Sequence, residues 1–166
     1  MAGSFYHVCF VVPDMAAAIR DLGAAADVEF SAPRADRIGE WDFRIAFTRG
    51  APPHIELIEP AAPGGPWDAS EGARFDHLGF WTRSIEDGGR RLAAAGLPEE
   101  FSGCPYGRPF AYHRVGSIGA RVELVDLARQ PAFLAAWNPG GEPMPPVEAG
   151  PAPVTARTVK PPVEGP

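Results

Sequence analysis

Four residues of the chain have the types and spacing to do chemistry together. His7 lies in the run FYHVCFVV and His77 in FDHLGFW, 70 residues later. Glu56 lies in HIELIE and Glu123 in RVELVD, 67 residues apart. Taken singly, a histidine in a strand is ordinarily a hydrogen-bonded structural residue. Taken as a matched set, two neutral imidazoles and two carboxylates suit a divalent transition metal, with Zn, Ni, Co, Mn and Fe not distinguished by the ligands alone. Strand positions suit such a set because adjacent strands fix ligand direction better than loops do.

The matching extends beyond these four. Phe5-Tyr6-His7 returns as Phe75-Asp76-His77, Leu22 as Leu92, and Glu29-Phe30-Ser31 as Glu100-Phe101-Ser102. Phe43 returns as Phe110, and Ile55-Glu56-Leu57 as Val122-Glu123-Leu124. Ordered matches at nearly constant offset are the signature of a duplicated unit.

Each copy reads as β-α-β-β-β. In the first, Phe5–Val12 alternates like a strand, and Asp14 caps a helix carrying Met15, Ile19 and Leu22 on one face. Residues Val28–Ser31, Trp41–Thr48 and His54–Glu59 are expected as the remaining strands. In the second, Phe75–Thr82 is a strand, and Ser84 caps a helix with Ile85, Leu92 and Ala95 on one face. Strands follow at Glu100–Ser102, Phe110–Val115 and Arg121–Asp126. The expected organisation is one α+β domain over residues 1–137. Module one is 4–60, a Pro/Gly-rich linker 61–74, module two 75–127, and a short helix 129–137. Residues 138–166 hold nine of the 20 prolines and no apolar period, and are expected to be disordered or extended. Alternation aims His7, Glu56, His77 and Glu123 at one face of their strands, so modules related by a pseudo-twofold axis would bring them together.

These motifs resemble the vicinal oxygen chelate superfamily of glyoxalase I, methylmalonyl-CoA epimerase, extradiol dioxygenases, and fosfomycin- and bleomycin-resistance proteins. The resemblance covers about residues 4–127. It implies two tandem βαβββ modules forming an open, cup-shaped mixed sheet around a metal bound by His7, Glu56, His77 and Glu123. It also implies frequent dimerisation, with ligands supplied by one chain or by two. Three-ligand members lack a ligand at the place of Glu56, so the full set is similar to glyoxalase I and close to the epimerase. The implied function is a metal-dependent, redox-neutral lyase or isomerase acting on a metal-chelated carbonyl of a small molecule. Glu56 or Glu123 would be the catalytic proton carrier. The competing readings are an Fe(II) ring-cleavage type dioxygenase, with Glu56 a bystander, and a drug- or metabolite-binding protein without turnover.

Other residues receive narrower expectations. Trp41, Phe43, Tyr106 and Tyr112 are candidates to line the cup, and Arg108 to meet an anionic substrate group. His54 is expected to be exposed after Pro52-Pro53, with a second reading as a residue supporting the metal ligands, because it shares a strand face with Glu56. His113 is expected to be structural, and Cys9 a small buried residue on the metal side. Net charge is −6, and Lys160 is the only lysine beside 14 arginines with no basic block, which excludes a nucleic-acid footprint. Two cysteines make no disulfide framework, no apolar run reaches the ~18 residues of a membrane span, and MAGSFYHVCFVVPD has no basic leader. Together these lead to the expectation of a cytoplasmic protein.

Overall fold

In the computed structural model, residues 5–147 are described. Eight strands form one curled, open sheet: β1 (His7–Val11), β2 (Arg34–Ile38), β3 (Trp41–Phe47), β4 (His54–Pro60), β5 (Arg74–Thr82), β6 (Glu99–Ser102), β7 (Phe110–Val115) and β8 (Ala120–Asp126). Their spatial order is β2-β3-β4-β1-β5-β8-β7-β6. The two halves of that order are related by a pseudo-twofold axis between β1 and β5. Those two strands pair antiparallel, while β1–β4 and β5–β8 are the parallel pairs.

Helices α1 (Met15–Ala26) and α2 (Ile85–Ala94) lie on the outer face. Asp14 accepts a hydrogen bond from the Ala17 N–H at 2.9 Å, and Ser84 accepts one from the Asp87 N–H at 3.0 Å, so each helix starts at a satisfied N-cap. Met15, Ile19 and Leu22 of α1 pack on Ala46 and Leu57. The opposite face of the same strands carries Cys9, Val11, Phe43 and Ile58, which meet Tyr112 and Trp67 inside the cup. Alternation along β1 thus sends His7, Cys9 and Val11 inward.

Three sequence expectations change. The second strand of module one is not at Val28–Ser31: there, only Phe30 forms a single bridge, to Thr48. The strand is Arg34–Ile38, whose charged, largely exposed sequence RADRI suits a sheet edge paired on one side. His54 is fully buried rather than exposed; its Nδ1 lies 3.0 Å from the Thr48 carbonyl, and its ring packs on Phe133. Residues 138–147 lack regular structure but are docked. The Gln130 side-chain amide donates to the Met144 carbonyl at 2.8 Å and accepts from the Met144 N–H at 2.9 Å, and Val147 N–H donates to Trp81 O at 2.7 Å. Residues 148–166 of the expected tail lie outside the described residues.

A third helix, α3 (Gln130–Trp137), closes one end of the cup with Phe133 against Tyr6, Phe47 and Trp81. Near the other end, linker residue Trp67 inserts and donates from Nε1 to the Tyr112 hydroxyl at 3.0 Å. No helix among the described residues is long and apolar enough to cross a membrane.

Candidate metal centre

The central pairing of β1 with β5 sets the geometry. His7 lies opposite Gly79 and His77 opposite Cys9, so the two imidazoles meet diagonally across the axis. In the parallel pairs, Cys9 lies beside Glu56 and Gly79 beside Glu123, which places both glutamates on the same inner face. The Nε2 atoms of His7 and His77 are 2.9 Å apart. Glu56 Oε2 is 3.1 Å from each of them, and Glu123 Oε2 is 3.4 Å from His7 and 3.5 Å from His77. All four residues are at most 7% exposed and all come from one chain.

This donor set fits a metal. Ligand atoms bound at the usual ~2.0–2.2 Å around a tetrahedral ion lie roughly 3.4 Å from one another, close to the spacings found. His7, His77 and Glu56 form the compact group, each turning a ligand atom to the others within 4.8 Å, and Glu123 approaches both histidines from a second side. Buried groups of this kind have no other reason to converge without an ion or shared protons. Burial would raise the Glu56 carboxyl, but His7 and His77 outweigh it and hold it well below the usual range. For His77, burial works to lower the pKa, but surrounding groups, with Glu123 and Asp76 among them, hold it well above the ordinary imidazole value.

The surroundings of the two histidines differ. A β-bulge in β5 leaves Asp76 as an extra residue between the partners of Cys9 and Phe10. It therefore turns inward beside His77 instead of alternating away. Its Oδ2 accepts from His77 Nδ1 at 2.8 Å, so that nitrogen carries a proton and Nε2 is the atom turned to the centre, where a bound ion would take its lone pair. Asp76 is held in turn by Arg121 and by Arg74, the latter at 2.8 Å. His7 lacks such a carboxylate, and its Nδ1 meets no hydrogen-bond partner among the described residues. Its ring instead occupies space left by Gly79, where an added Cβ would fall 2.0 Å from a ring carbon. Asp76, Arg121 and Gly79 were missed in the sequence. The available signals were the one charged flank in the strand pattern and a glycine where the other copy has Cys9.

Beside the centre lies a cavity of about 80 Å³, lined by Glu56, Glu123, Phe43, Trp67, Arg108 and Tyr112 among others. Of the residues expected to contact substrate, Phe43, Arg108 and Tyr112 are there. Trp41 and Tyr106 are not among its lining residues. Tyr106 is exposed and stacks on Phe101, and Trp41 lines a larger, separate pocket. Arg108 also bonds Asp36 and donates to the Arg37 carbonyl at 3.1 Å, clasping module two to the β2 edge. Cys9 is fully buried; burial pushes its thiol up and the Glu56 carboxylate adds to that. His113 is buried with Nδ1 3.1 Å from the Leu97 carbonyl, the geometry of a structural residue.

A sequence profile of the glyoxalase/bleomycin resistance protein/dioxygenase superfamily matches residues 6–116, which is 111 of 166 residues. The chain belongs to this superfamily. No curated protein sequence matches the chain. Similar solved structures include a variant of Streptomyces coelicolor methylmalonyl-CoA epimerase in complex with 2-nitronate-propionyl-CoA, at 13% identity and TM-score 0.57, covering 76% of this chain and 98% of that one. Methylmalonyl-CoA epimerase from Mycobacterium tuberculosis gives 17% identity and TM-score 0.55, over 74% and 86% of the two chains. A mutant of 4-hydroxymandelate synthase from Streptomyces coelicolor gives 19% identity and TM-score 0.56, over 75% and 49%. At these identities the superfamily member shares their fold.

Proposed function

We propose that this superfamily member is a metal-dependent, redox-neutral lyase or isomerase that moves a proton at the carbon next to a carbonyl of a small molecule. The observation that carries the reading is the fourth donor. Glu56 lies 3.1 Å from both His7 and His77, beside Glu123 at 3.4 and 3.5 Å from the same nitrogens, and so adds a donor at the strand position that three-ligand classes leave open. A divalent ion held by these four residues supplies Lewis-acid polarisation of a substrate oxygen.

The rest of the chemistry belongs to the chain. Glu123 sits farther from both imidazoles than Glu56 does, so it is the carboxylate freer to swing and take the proton. Glu56, in near-equal contact with both histidines, stays as a holding group. Glu123 lines the cavity, within reach of a carbon placed there. Phe43, Trp67 and Tyr112 keep water from that carbon, which strengthens every charge interaction inside. Arg108 orients an anionic end of the substrate. The β3 strand adds only apolar inward groups next to β4, Phe43, Ile45 and Phe47, so no further base comes from it.

The test uses metal-loaded protein in deuterium oxide with a panel of small 2-oxo and 2-hydroxy carbonyl compounds. Deuterium should enter at the carbon beside the carbonyl, followed by proton NMR. Glu123→Gln should slow exchange roughly 10²–10⁴-fold while keeping its metal. Exchange at the wild-type rate in that variant, or oxygen consumption in place of exchange, contradicts the reading.

A further inference from the structure

A second pocket, of about 390 Å³, opens at the β5/β8 end of the cup. Its size falls within the ~300–1,000 Å³ of small-molecule sites. Trp41 and Phe101 form an aromatic wall, with ring centroids 5.9 Å apart and planes at 73°. Phe75, more exposed than most large apolar residues of the fold, lies at the same pocket.

The guanidiniums there are unequally paired. Arg74, Arg114 and Arg121 line the pocket, with Asp76 and Glu100 as its only carboxylates. Asp76 is fully engaged: Oδ1 accepts from Arg74, and Oδ2 from Arg121 and His77. Glu100 is 44% exposed and stands 3.9 Å from Arg114 and 3.8 Å from Arg121, outside hydrogen-bond reach of both. Arg121 is fixed in place, donating to the Pro66 carbonyl at 3.0 Å and lying over the Tyr112 ring at 4.0 Å. Arg74 and Arg121 each bond Asp76, and Arg74 also bonds the Asp68 carbonyl, whereas Arg114 has only Glu100 at 3.9 Å and stands beside the aromatic wall without a hydrogen-bonded carboxylate.

We propose that this pocket is a binding site for an aromatic monocarboxylate, its ring against Trp41 and Phe101 and its carboxylate on Arg114 and Arg121. A carboxylate supplies the hydrogen-bonded partner that Arg114 lacks, and a planar guanidinium matches it in two-point hydrogen bonding. The pocket adjoins the metal centre through Asp76 but is lined by none of its four candidate ligands: Arg121 precedes Glu123 by two positions on the same strand face, a separation of roughly 7 Å along the strand.

The test is calorimetric titration of the full chain with 2-naphthoate, and with uncharged 2-naphthamide as the control. Naphthoate should bind one-to-one and about tenfold or more tighter than the amide, since a charged hydrogen-bonded pair is worth that factor. Arg114→Gln, at an exposed rim position, should weaken naphthoate about tenfold and leave the thermal melt unchanged. Naphthoate binding should survive removal of metal by chelation. Equal binding of acid and amide, wild-type affinity in Arg114→Gln, loss of binding on chelation, or no saturable binding overturns the proposal. The metal reading is scored separately, by metal content.

Discussion

At the residue scale, the centre depends on small steric and hydrogen-bond choices around two histidines of unequal support. His77 is oriented by Asp76; His7 is seated over Gly79. Asp76→Asn removes the carboxylate that fixes the His77 tautomer and should cost about 10–100-fold in metal affinity, measured by competition with a chelator. Gly79→Ala should cost at least as much by forcing the His7 ring aside, because the added carbon has no room. The four candidate ligand positions were legible from the repeat, since their types and spacing match in both copies. The supporting residues were not. Period-two alternation sends Asp76 to the outer face, and only the bulge brings it in. Arg121 occupies the symmetry place of His54, so it has no identical counterpart to draw notice.

At the scale of elements, a strand was legible where one face is buried and illegible where neither is. Strands β3, β4, β5, β7 and β8 read correctly because each carries buried apolar residues along its length, such as Leu57 and Ile58 of β4 and Leu124 of β8. The edge strand RADRI buries only its last residue, so hydrophobic pattern could not find it. The Pro/Gly-rich linker looked like a plain connection, yet it delivers Trp67 to the interior. Trp67→Ala should destabilise the fold by about 3–5 kcal/mol in denaturant unfolding and widen the cavity beside Glu123. The docking of residues 138–147 was equally hidden, because it rests on Gln130, one backbone bond to Trp81 and the single buried Met144 rather than on an apolar period. Gln130→Ala leaves the Met144 N–H and carbonyl unpaired and should cost roughly 1–3 kcal/mol, read as a lower denaturant midpoint.

At the scale of the whole molecule, two modules make one site because their pseudo-twofold axis runs between β1 and β5. The same closure fixes how stability responds to acid. Asp76 and Glu56 are both held below their ordinary values: burial opposes this, and His77 with Arg121, or His7 with His77, outweigh it. A carboxyl depressed in the folded state contributes stability that is whole above its unfolded value of about 4 and is lost as pH falls through the folded value. The melting temperature should therefore hold above about pH 5 and fall steeply below about 4, with a shallower fall in Asp76→Asn.

The central claim is that His7, Glu56, His77 and Glu123 hold one divalent ion within a single chain. Elemental analysis by plasma mass spectrometry, on purified wild-type protein and on His7→Ala and His77→Ala, tests it most directly. One ion per chain in the wild type, lost in both variants, is the expected result. Wild-type protein that takes up no stoichiometric metal, or variants that keep the full load, would contradict it.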